Sequence, residues 1–552
     1  MILGLCDGHD AGAALLCPEA GVVFAVSEER LTRRKHQTGF PRSSVAACLR
    51  YIDESGLDDI EAVALAEVAG RLPLRLLDGL YKSRGGDGDP LSFSERGLAL
   101  YSEMAARYVP RLESWAAQKV VARRLRRTGV PASPQLIDHH RCHAWSAAAG
   151  RPDALVLTLD AFGDGLSGSV FRLRSSTDLE RVEAFAAPLG PAMLFGQVTA
   201  ALGFGMGEEG KVVARSASGD GAALASQFQA CLSWDGSGFS QRMSWTALRR
   251  AIASETPEDV AAALQRHVEQ LVVEVLRSVI ARHGGSRLCL AGGLFANVAV
   301  NRVALEIARE LGFEETYVFP AMGDSGLCVG AAHALLASRG GNPQPLSDPR
   351  IGPGPGSLSA AERATALSVL QGGAAEGAPS QVAAALLRGE VVGLCRGRME
   401  FGPRALGSRS LLFLADELAR GLSVNAALGR DPKMPFGPLM TDRVAPRLLQ
   451  GWSPDCQGMT DAMTVALPAS SHLRAVAPGA VHLDGTARAQ VLRRDQDPEL
   501  YAMLRELPDE VCVNTSLNLH GEPIVDSADA ALRSAGAGGA SLLWLQGEVE
   551  RA

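Results

Sequence analysis

The sequence has no C-x-x-C pair, no long apolar run and no surplus of positive charge. Its ten cysteines are scattered singly from Cys6 to Cys512, mostly inside apolar stretches. Buried reduced thiols are therefore expected, rather than disulfides or a cysteine zinc site. No stretch approaches the roughly eighteen apolar residues that a membrane helix needs. The opening run Met1-Ile-Leu-Gly-Leu-Cys-Asp7 has no basic segment ahead of an apolar one, so no signal peptide is visible and a cytoplasmic protein is expected. Lys and Arg number 54 against 61 Asp and Glu, a formal net charge of −7. A chain gripping a polyphosphate backbone carries a basic face, so nucleic acid is excluded as the main partner. Small anions remain open, because a local cluster of arginines binds them whatever the net charge.

What is present is material for several cores. With 552 residues, 47% apolar and 21% charged, the chain is too long for one core and too apolar for disorder. The Gly- and Pro-rich stretch Arg339–Gly356 forbids a helix or central strand and marks a linker. The expected organisation is a domain over 1–340, a linker over 341–357 and a domain over 358–552. Before the linker, apolar strand-like runs alternate with helical ones, an α/β pattern. Two segments share a plan. Ile2–Leu16 and Ala154–Phe171 each run from an apolar strand through an acidic, Gly-rich turn (Asp7, Asp10; Asp160, Asp164) into a second strand. Asp and Gly favour turns in any hairpin, but two copies suggest a duplicated fold with halves over roughly 1–150 and 151–340. After the linker, Glu390–Cys395 and Glu510–Asn514 look strand-like, and Ser380–Leu387 and Leu411–Leu428 look helical.

Four constellations carry chemistry. In Asp138-His139-His140-Arg141-Cys142-His143 the following Ala-rich run predicts a helix, which places His139 and His143 at i and i+4 on one face. An isolated H-x-x-x-H is more often a capping or surface pair. Asp160 at a strand end and Asp324 in the turn Gly323–Gly326 supply two carboxylates, completing a set suited to Fe(II), Mn(II) or Zn(II). Leu290-Ala-Gly292-Gly293-Leu-Phe-Ala-Asn297 is a strand, a glycine turn and a helix start; Gly292, Gly293 and Asn297 suit a nucleotide's ribose or phosphates, and close helix–sheet packing explains them equally well. Beyond the linker, Arg404 and Arg409 in Phe401–Ser410, Lys433 in Arg430–Pro438, Arg488 in His482–Arg488, and Ser516 and Asn518 in Asn514–Val525 bring forked guanidiniums and hydroxyl-bearing turns. Phosphate oxygens require such groups.

With these blocks in order (Gly8-His9-Asp10, Ser27–His36, Asp138–Ala144, Leu290–Asn297, Gly323-Asp324, Phe401–Ser410, Asn514–Val525) the chain resembles the O-carbamoyltransferases, which include tobramycin, cephamycin and ansamycin tailoring enzymes and nodulation protein U. The resemblance spans nearly the whole chain. It implies a duplicated actin/Hsp70-like (ASKHA) first domain and a YrdC-like α/β second domain. It also implies carbamoyl-adenylate formation from carbamoyl phosphate and ATP with Mg²⁺, then transfer to a hydroxyl of a small molecule. By motif, His139, His143, Asp160 and Asp324 would hold one divalent metal, Fe²⁺ foremost. Asp7 and His9 would lie beside the reacting carbonyl with Lys35 in the same cleft, His9 acting as base. Arg404, Lys433, Arg488, Ser516 and Asn518 would bind ATP or carbamoyl phosphate. Departures occur where Gly210–Ala217 replaces Gly-Lys-Val-Met-Gly-Leu-Ala-Pro, where Met434 replaces an arginine, and at Leu414–Glu417. The expected acceptor is an antibiotic or other secondary metabolite; a sugar or lipo-oligosaccharide is the alternative. A chaperone-like or regulatory ATPase of the same fold would need neither the histidine pair nor the second domain.

Overall fold

The computed structural model describes residues 1–66, 110–130, 133–356, 368–371, 378–416, 418–431 and 436–546. The chain divides into two compact units, Met1–Ser347 and Asp348–Ala552.

The first unit contains one plan twice. Strands β1 (Ile2–Cys6), β2 (Gly12–Cys17) and β3 (Gly21–Ser27) form an antiparallel meander. β4 (Ala62–Ala66) then runs parallel to β1, and β5 (Gln135–Ile137) parallel to β4, in the order β3-β2-β1-β4-β5. In the second half, β6 (Ala154–Gly163), β7 (Leu166–Ser175) and β8 (Asp178–Ala186) repeat the meander. Strand Arg287–Ala291 lies parallel to β6, and strand Glu315–Val318 parallel to it in turn. This repeated sheet order is the duplicated actin/Hsp70-like plan, and it accounts for the two similar segments in the sequence.

Physical reasons for the strands are plain in β1, whose five residues are all buried: a sheet covered on both faces needs continuous apolar runs. Helix Leu327–Ser338 lies so close over β1 that a Cβ on Gly4 would stand 1.9 Å from the Cys328 carbonyl oxygen. The same helix meets helix His139–Ala148 at Gly330, where a Cβ would stand 1.7 Å from the Cys142 carbonyl oxygen. Both crossings admit only glycine, and they fix the histidine-bearing helix against the sheet core.

The second unit is built on a seven-stranded mixed sheet in the order Ser368–Gln371, Ala540–Gln546, Val391–Arg396, Arg409–Phe413, Val511–Ser516, Gly437–Thr441, Gln490–Leu492. The helical expectation for Leu411–Leu428 is corrected here. Arg409–Phe413 is an interior strand paired on both sides, and a helix occupies only Leu418–Ala427. All five strand residues are buried, and a short apolar run buried on both faces has no periodicity to separate strand from helix. Residues 339–356 carry no helix or strand. Pro349 and Pro355 in that stretch accept backbone hydrogen bonds from Phe401 and Ala528, within the second unit. All ten cysteines are free, and all but Cys17 are buried. No described helix is long and apolar enough to cross a membrane.

Candidate active site

Helix His139–Ala148 starts on Asp138, whose carboxylate accepts from the Arg141 amide at 2.8 Å and caps the orphan donors of the first turn. The helix is buried nearly throughout, and both His139 and His143 are 0% exposed. Pairing of β6 with β7 opens between Leu159 and Gly163, and Asp160 projects from that irregularity. Its carboxylate accepts from the Ala161 amide at 2.6 Å and the Gly293 amide at 3.0 Å. Asp324 opens the short turn Asp324–Gly326 that leads into helix Leu327–Ser338.

These four side chains converge, with one ligand atom from each lying within 4.8 Å of all the others. His143 Nε2 is 3.1 Å from His139 Nε2 and 3.1 Å from Asp160 Oδ2. Asp324 Oδ1 is 3.7 Å from His139 Nε2 and 3.6 Å from His143 Nε2. Ligands about 2.1 Å from a common ion stand about 3.0 to 3.4 Å apart in octahedral or tetrahedral arrangements, so the set is close to coordinating dimensions. Two imidazole nitrogens facing each other beside two carboxylates are a donor set for a borderline divalent cation. Burial alone would raise the Asp160 carboxyl, but the facing His139 and His143 rings outweigh it and hold the group well below the usual range. His140, the third histidine of the motif, belongs to the core: its ring nitrogens meet Thr158 Oγ1 at 2.9 Å and the Leu166 carbonyl at 3.3 Å.

Glycines shape this centre. A Cβ on Gly163 would stand 2.1 Å from His139 Cδ2. Gly163→Ala is therefore expected to displace His139 and weaken divalent-metal binding about 10- to 100-fold, measured by competition with a chelating dye. Gly292 has φ +108, and a Cβ there would stand 2.3 Å from the Leu159 carbonyl oxygen. Gly292 and Gly293 thus lock against β6, with the Gly293 amide committed to Asp160. Asn297 caps helix Val298–Glu310 and exchanges hydrogen bonds with Gln265, so its polar atoms are engaged inside the fold.

In the first hairpin, Asp7 is buried at the end of β1 and His9 is partly exposed. Lys35 is exposed. Its neighbour His36 faces the hairpin instead, with Nδ1 2.8 Å from Asp10 Oδ1, while His9 Nδ1 is 3.0 Å from Asp10 Oδ2. Asp10 and His36 stand in the sequence blocks Gly8-His9-Asp10 and Ser27–His36, but nothing in the sequence pairs them or gives either a role.

In the second unit, Lys433 lies outside the described residues. Arg404, Arg430 and Arg488 come together, and the positive charges of the first two bear on the third. Arg430 opens the sequence block Arg430–Pro438 that carries Lys433. It donates to Thr515 Oγ1 at 2.5 Å, to Ser516 Oγ at 3.1 Å and to Asn518 Oδ1 at 3.2 Å. It therefore binds the very loop that carries Ser516 and Asn518. Burial pushes the Arg404 and Arg430 guanidiniums down to about 10. Burial, then Arg404 and Arg430, push Arg488 well below its usual value. His482 beside them is lowered to about 4 by burial and by Arg488, so it is neutral. Arg409, by contrast, is fully buried and spent on the carbonyls of Arg396, Gly397 and Ser408.

Buried Glu400 organises the Arg404 turn: one carboxylate oxygen accepts from the amides of Leu406 at 2.7 Å, Ser408 at 2.7 Å and Arg409 at 3.0 Å. Glu400→Ala would leave three buried amides unpaired, each costing about 1–3 kcal/mol. The expected result is a melting temperature lower by about 6 °C or more, read by calorimetry.

The chain thus combines a duplicated actin/Hsp70-like unit that carries a buried cluster of two histidines and two carboxylates with an α/β unit that carries the neighbouring Arg404, Arg430 and Arg488. Residues 1–333 match the family model for the carbamoyltransferase N-terminus, and residues 383–551 match that for the carbamoyltransferase C-terminus. The chain belongs to the carbamoyltransferase family. It is 30% identical over 551 residues to nodulation protein NolNO of Sinorhizobium fredii, covering 95% of this chain and 76% of that protein. Nodulation protein U of the same organism is 32% identical over 295 residues, 51% of this chain and 49% of that one. Among solved structures, the crystal structure of T.kodakarensis HypF is similar over 62% of this chain and 48% of that chain, with 14% identity and a TM-score of 0.33.

Proposed function

We propose that the chain is an ATP-dependent O-carbamoyltransferase working in two steps. In the second unit, Arg404, Arg430 and Arg488 with Ser516 and Asn518 would hold ATP and carbamoyl phosphate, joined by Lys433 and with Mg²⁺ on the triphosphate. Carbamoyl-adenylate keeps a single phosphate, that of ATP. Balance therefore requires carbamoyl phosphate to lose its phosphate to water and the carbamate oxygen to displace pyrophosphate from the α-phosphorus. In the first unit, His9 takes the proton of an acceptor hydroxyl as its oxygen attacks the carbamoyl carbon, and AMP leaves. Asp7 lies one glycine away from His9 at the end of β1. His139, His143, Asp160 and Asp324 would hold a divalent ion, Fe²⁺ foremost, which when bound supplies positive charge against the developing negative charge.

The observation that carries this reading is the convergence of those four ligand atoms inside a carbamoyltransferase N-terminal unit. An ATPase acting only as a regulator has no use for such a centre. The acceptor is read as a hydroxyl-bearing small molecule, a secondary metabolite first and an oligosaccharide second.

The test is pyrophosphate release by purified protein with ATP, Mg²⁺ and carbamoyl phosphate, followed by a screen of an aminoglycoside, a macrolactam alcohol and a chito-oligosaccharide for carbamoyl adducts. Release that depends on carbamoyl phosphate supports adenylate formation; its absence in metal-replete protein would sink the two-step scheme.

A further inference from the structure

We infer that Asp10 and His36 are positioning residues that fix the tautomer of His9 through the two oxygens of one carboxylate. This inference rests on His9 being the base of the transfer step.

The geometry is a clamp. Asp10 Oδ2 stands 3.0 Å from His9 Nδ1, and Asp10 Oδ1 stands 2.8 Å from His36 Nδ1. An ionised carboxylate has only acceptors, so both ring nitrogens facing it must carry protons. Asp10 is ionised, because the two histidines more than offset the effect of its burial and hold its carboxyl far below the usual range. A neutral His9 with its proton on Nδ1 has its lone pair on Nε2, the state a base requires. Were Asp10 absent, both tautomers of His9 would be populated, and the one with Nε2–H cannot accept the acceptor's proton.

The surroundings show that the clamp is built. Asp10 and His36 both adopt left-handed backbone, φ 52 and φ 54, which costs a non-glycine residue about 1 kcal/mol or more each and persists only where neighbours impose it. Backbone hydrogen bonds tie the two turns together: the Ala11 amide donates to the Gln37 carbonyl at 2.9 Å, and the Gly39 amide to the Gly8 carbonyl at 3.3 Å. The His36 amide donates to Glu29 Oε2 at 2.8 Å. The His36 ring stacks on His9, with centroids 5.4 Å apart and planes 21° from parallel. Its far nitrogen abuts Gly207, where a Cβ would stand 2.3 Å away. His36 is thereby wedged between the Gly207 turn and Asp10 and holds the carboxylate square to His9.

The proton balance is closed. The acceptor hydroxyl loses its proton to His9 Nε2, its oxygen bonds to the carbamoyl carbon, and the carbon–oxygen bond to AMP breaks. The imidazolium formed faces the Asp10 carboxylate, then returns its proton to solvent.

The experiment uses the full chain labelled with ¹⁵N-histidine, the His9 resonances being assigned by their loss in His9→Gln. Expected in the parent are a pyrrole-type Nδ1 and a pyridine-type Nε2 for His9, with the pattern mixed or inverted in Asp10→Asn. AMP release from synthetic carbamoyl-adenylate, with glycerol as the hydroxyl probe, should fall on the order of 10²–10⁴-fold in Asp10→Asn. The loss should lie in the maximal rate, with the adenylate concentration dependence unchanged. His36→Gln, whose amide can still donate to Asp10, should retain more activity than His36→Phe, which keeps only the stack. A parent His9 protonated on Nε2, or an Asp10→Asn enzyme as fast as the parent while His9→Ala is dead, overturns the clamp alone. Loss of a bound metal equivalent on Asp10→Asn also overturns it, by making the cluster a ligand set. An active His9→Ala enzyme instead overturns the reading of His9 as base.

Discussion

Replacing His139 or His143 by alanine is expected to abolish divalent-metal binding by the first unit and to cut carbamoyl transfer by about 10² or more. Both imidazoles are fully buried and face Asp160 and Asp324. Removing either leaves one nitrogen donor and two carboxylates, a harder and weaker set for a borderline ion. It also removes one of the two rings that hold the buried Asp160 carboxyl below its usual range. Pyrophosphate release should persist, since the arginines proposed to bind ATP and carbamoyl phosphate lie in the other compact unit. His140→Ala is the control, because that ring meets Thr158 and Leu166 rather than the four ligand atoms; it should keep the metal. Metal content by plasma mass spectrometry and AMP release from carbamoyl-adenylate with glycerol measure both parts. Parental metal content in His139→Ala and His143→Ala would show that the ion, where present, sits elsewhere.

That centre was legible in the sequence because helix periodicity acts over short range. His139 and His143 are four residues apart, so a helix alone makes them neighbours. Asp160, expected at a strand end, sits at the irregularity inside β6, and Asp324 sits in the turn that leads into helix Leu327–Ser338. The duplication was legible for the same reason, as each hairpin is local. Asp10 and His36 were not. They meet across 26 residues through two left-handed turns, and neither a strand nor a helix pattern announces such a turn at Asp or His. Asn297 shows a different limit. A helix-start Asn beside glycines reads as a ligand contact, yet capping and a Gln265 partner already use its side chain. In the second unit, the Gly-Pro-Arg-Ala-Leu-Gly block marked Arg404, but the buried Glu400 that folds its turn gave no sign, since its three amide partners follow it by six to nine residues with no regular period. Arg409 stands five residues after Arg404 and reads alike in sequence; only its strand position and its carbonyl partners mark it as a scaffold guanidinium.

Arg488→Met is expected to make the ligand-free protein more heat-resistant while abolishing pyrophosphate release. Two kinds of arginine occur in the second unit. Arg396 and Arg350 are neutralised by Asp497, at 2.6 Å and 2.9 Å. Arg430 rests instead on the neutral oxygens of Thr515, Ser516 and Asn518. The charges bearing on Arg488 are those of Arg404 and Arg430, and its Nε is buried without a hydrogen-bond partner among the described residues. Guanidiniums do not surrender their protons near neutral pH, so the downward pressure on Arg488 reflects the cost of burying its charge first and of crowding it against Arg404 and Arg430 second. The neutral state of His482 limits that cost, since a fourth positive charge would add to it. Such strain is tolerated in a fold when function requires it. Methionine keeps much of the volume and removes the charge. The expected gain is about 1–2 kcal/mol, or roughly 2–8 °C in the melting temperature of a unit this size. In the parent, pyrophosphate at 100 times its dissociation constant should add about 2.7 kcal/mol of stability. In Arg488→Met most of that increment should vanish. Calorimetry of both proteins, with and without pyrophosphate, gives four melting temperatures. A variant that is less stable without anion and still stabilised by it would assign Arg488 to the scaffold, with Arg404 and Arg430 left to bind the phosphates.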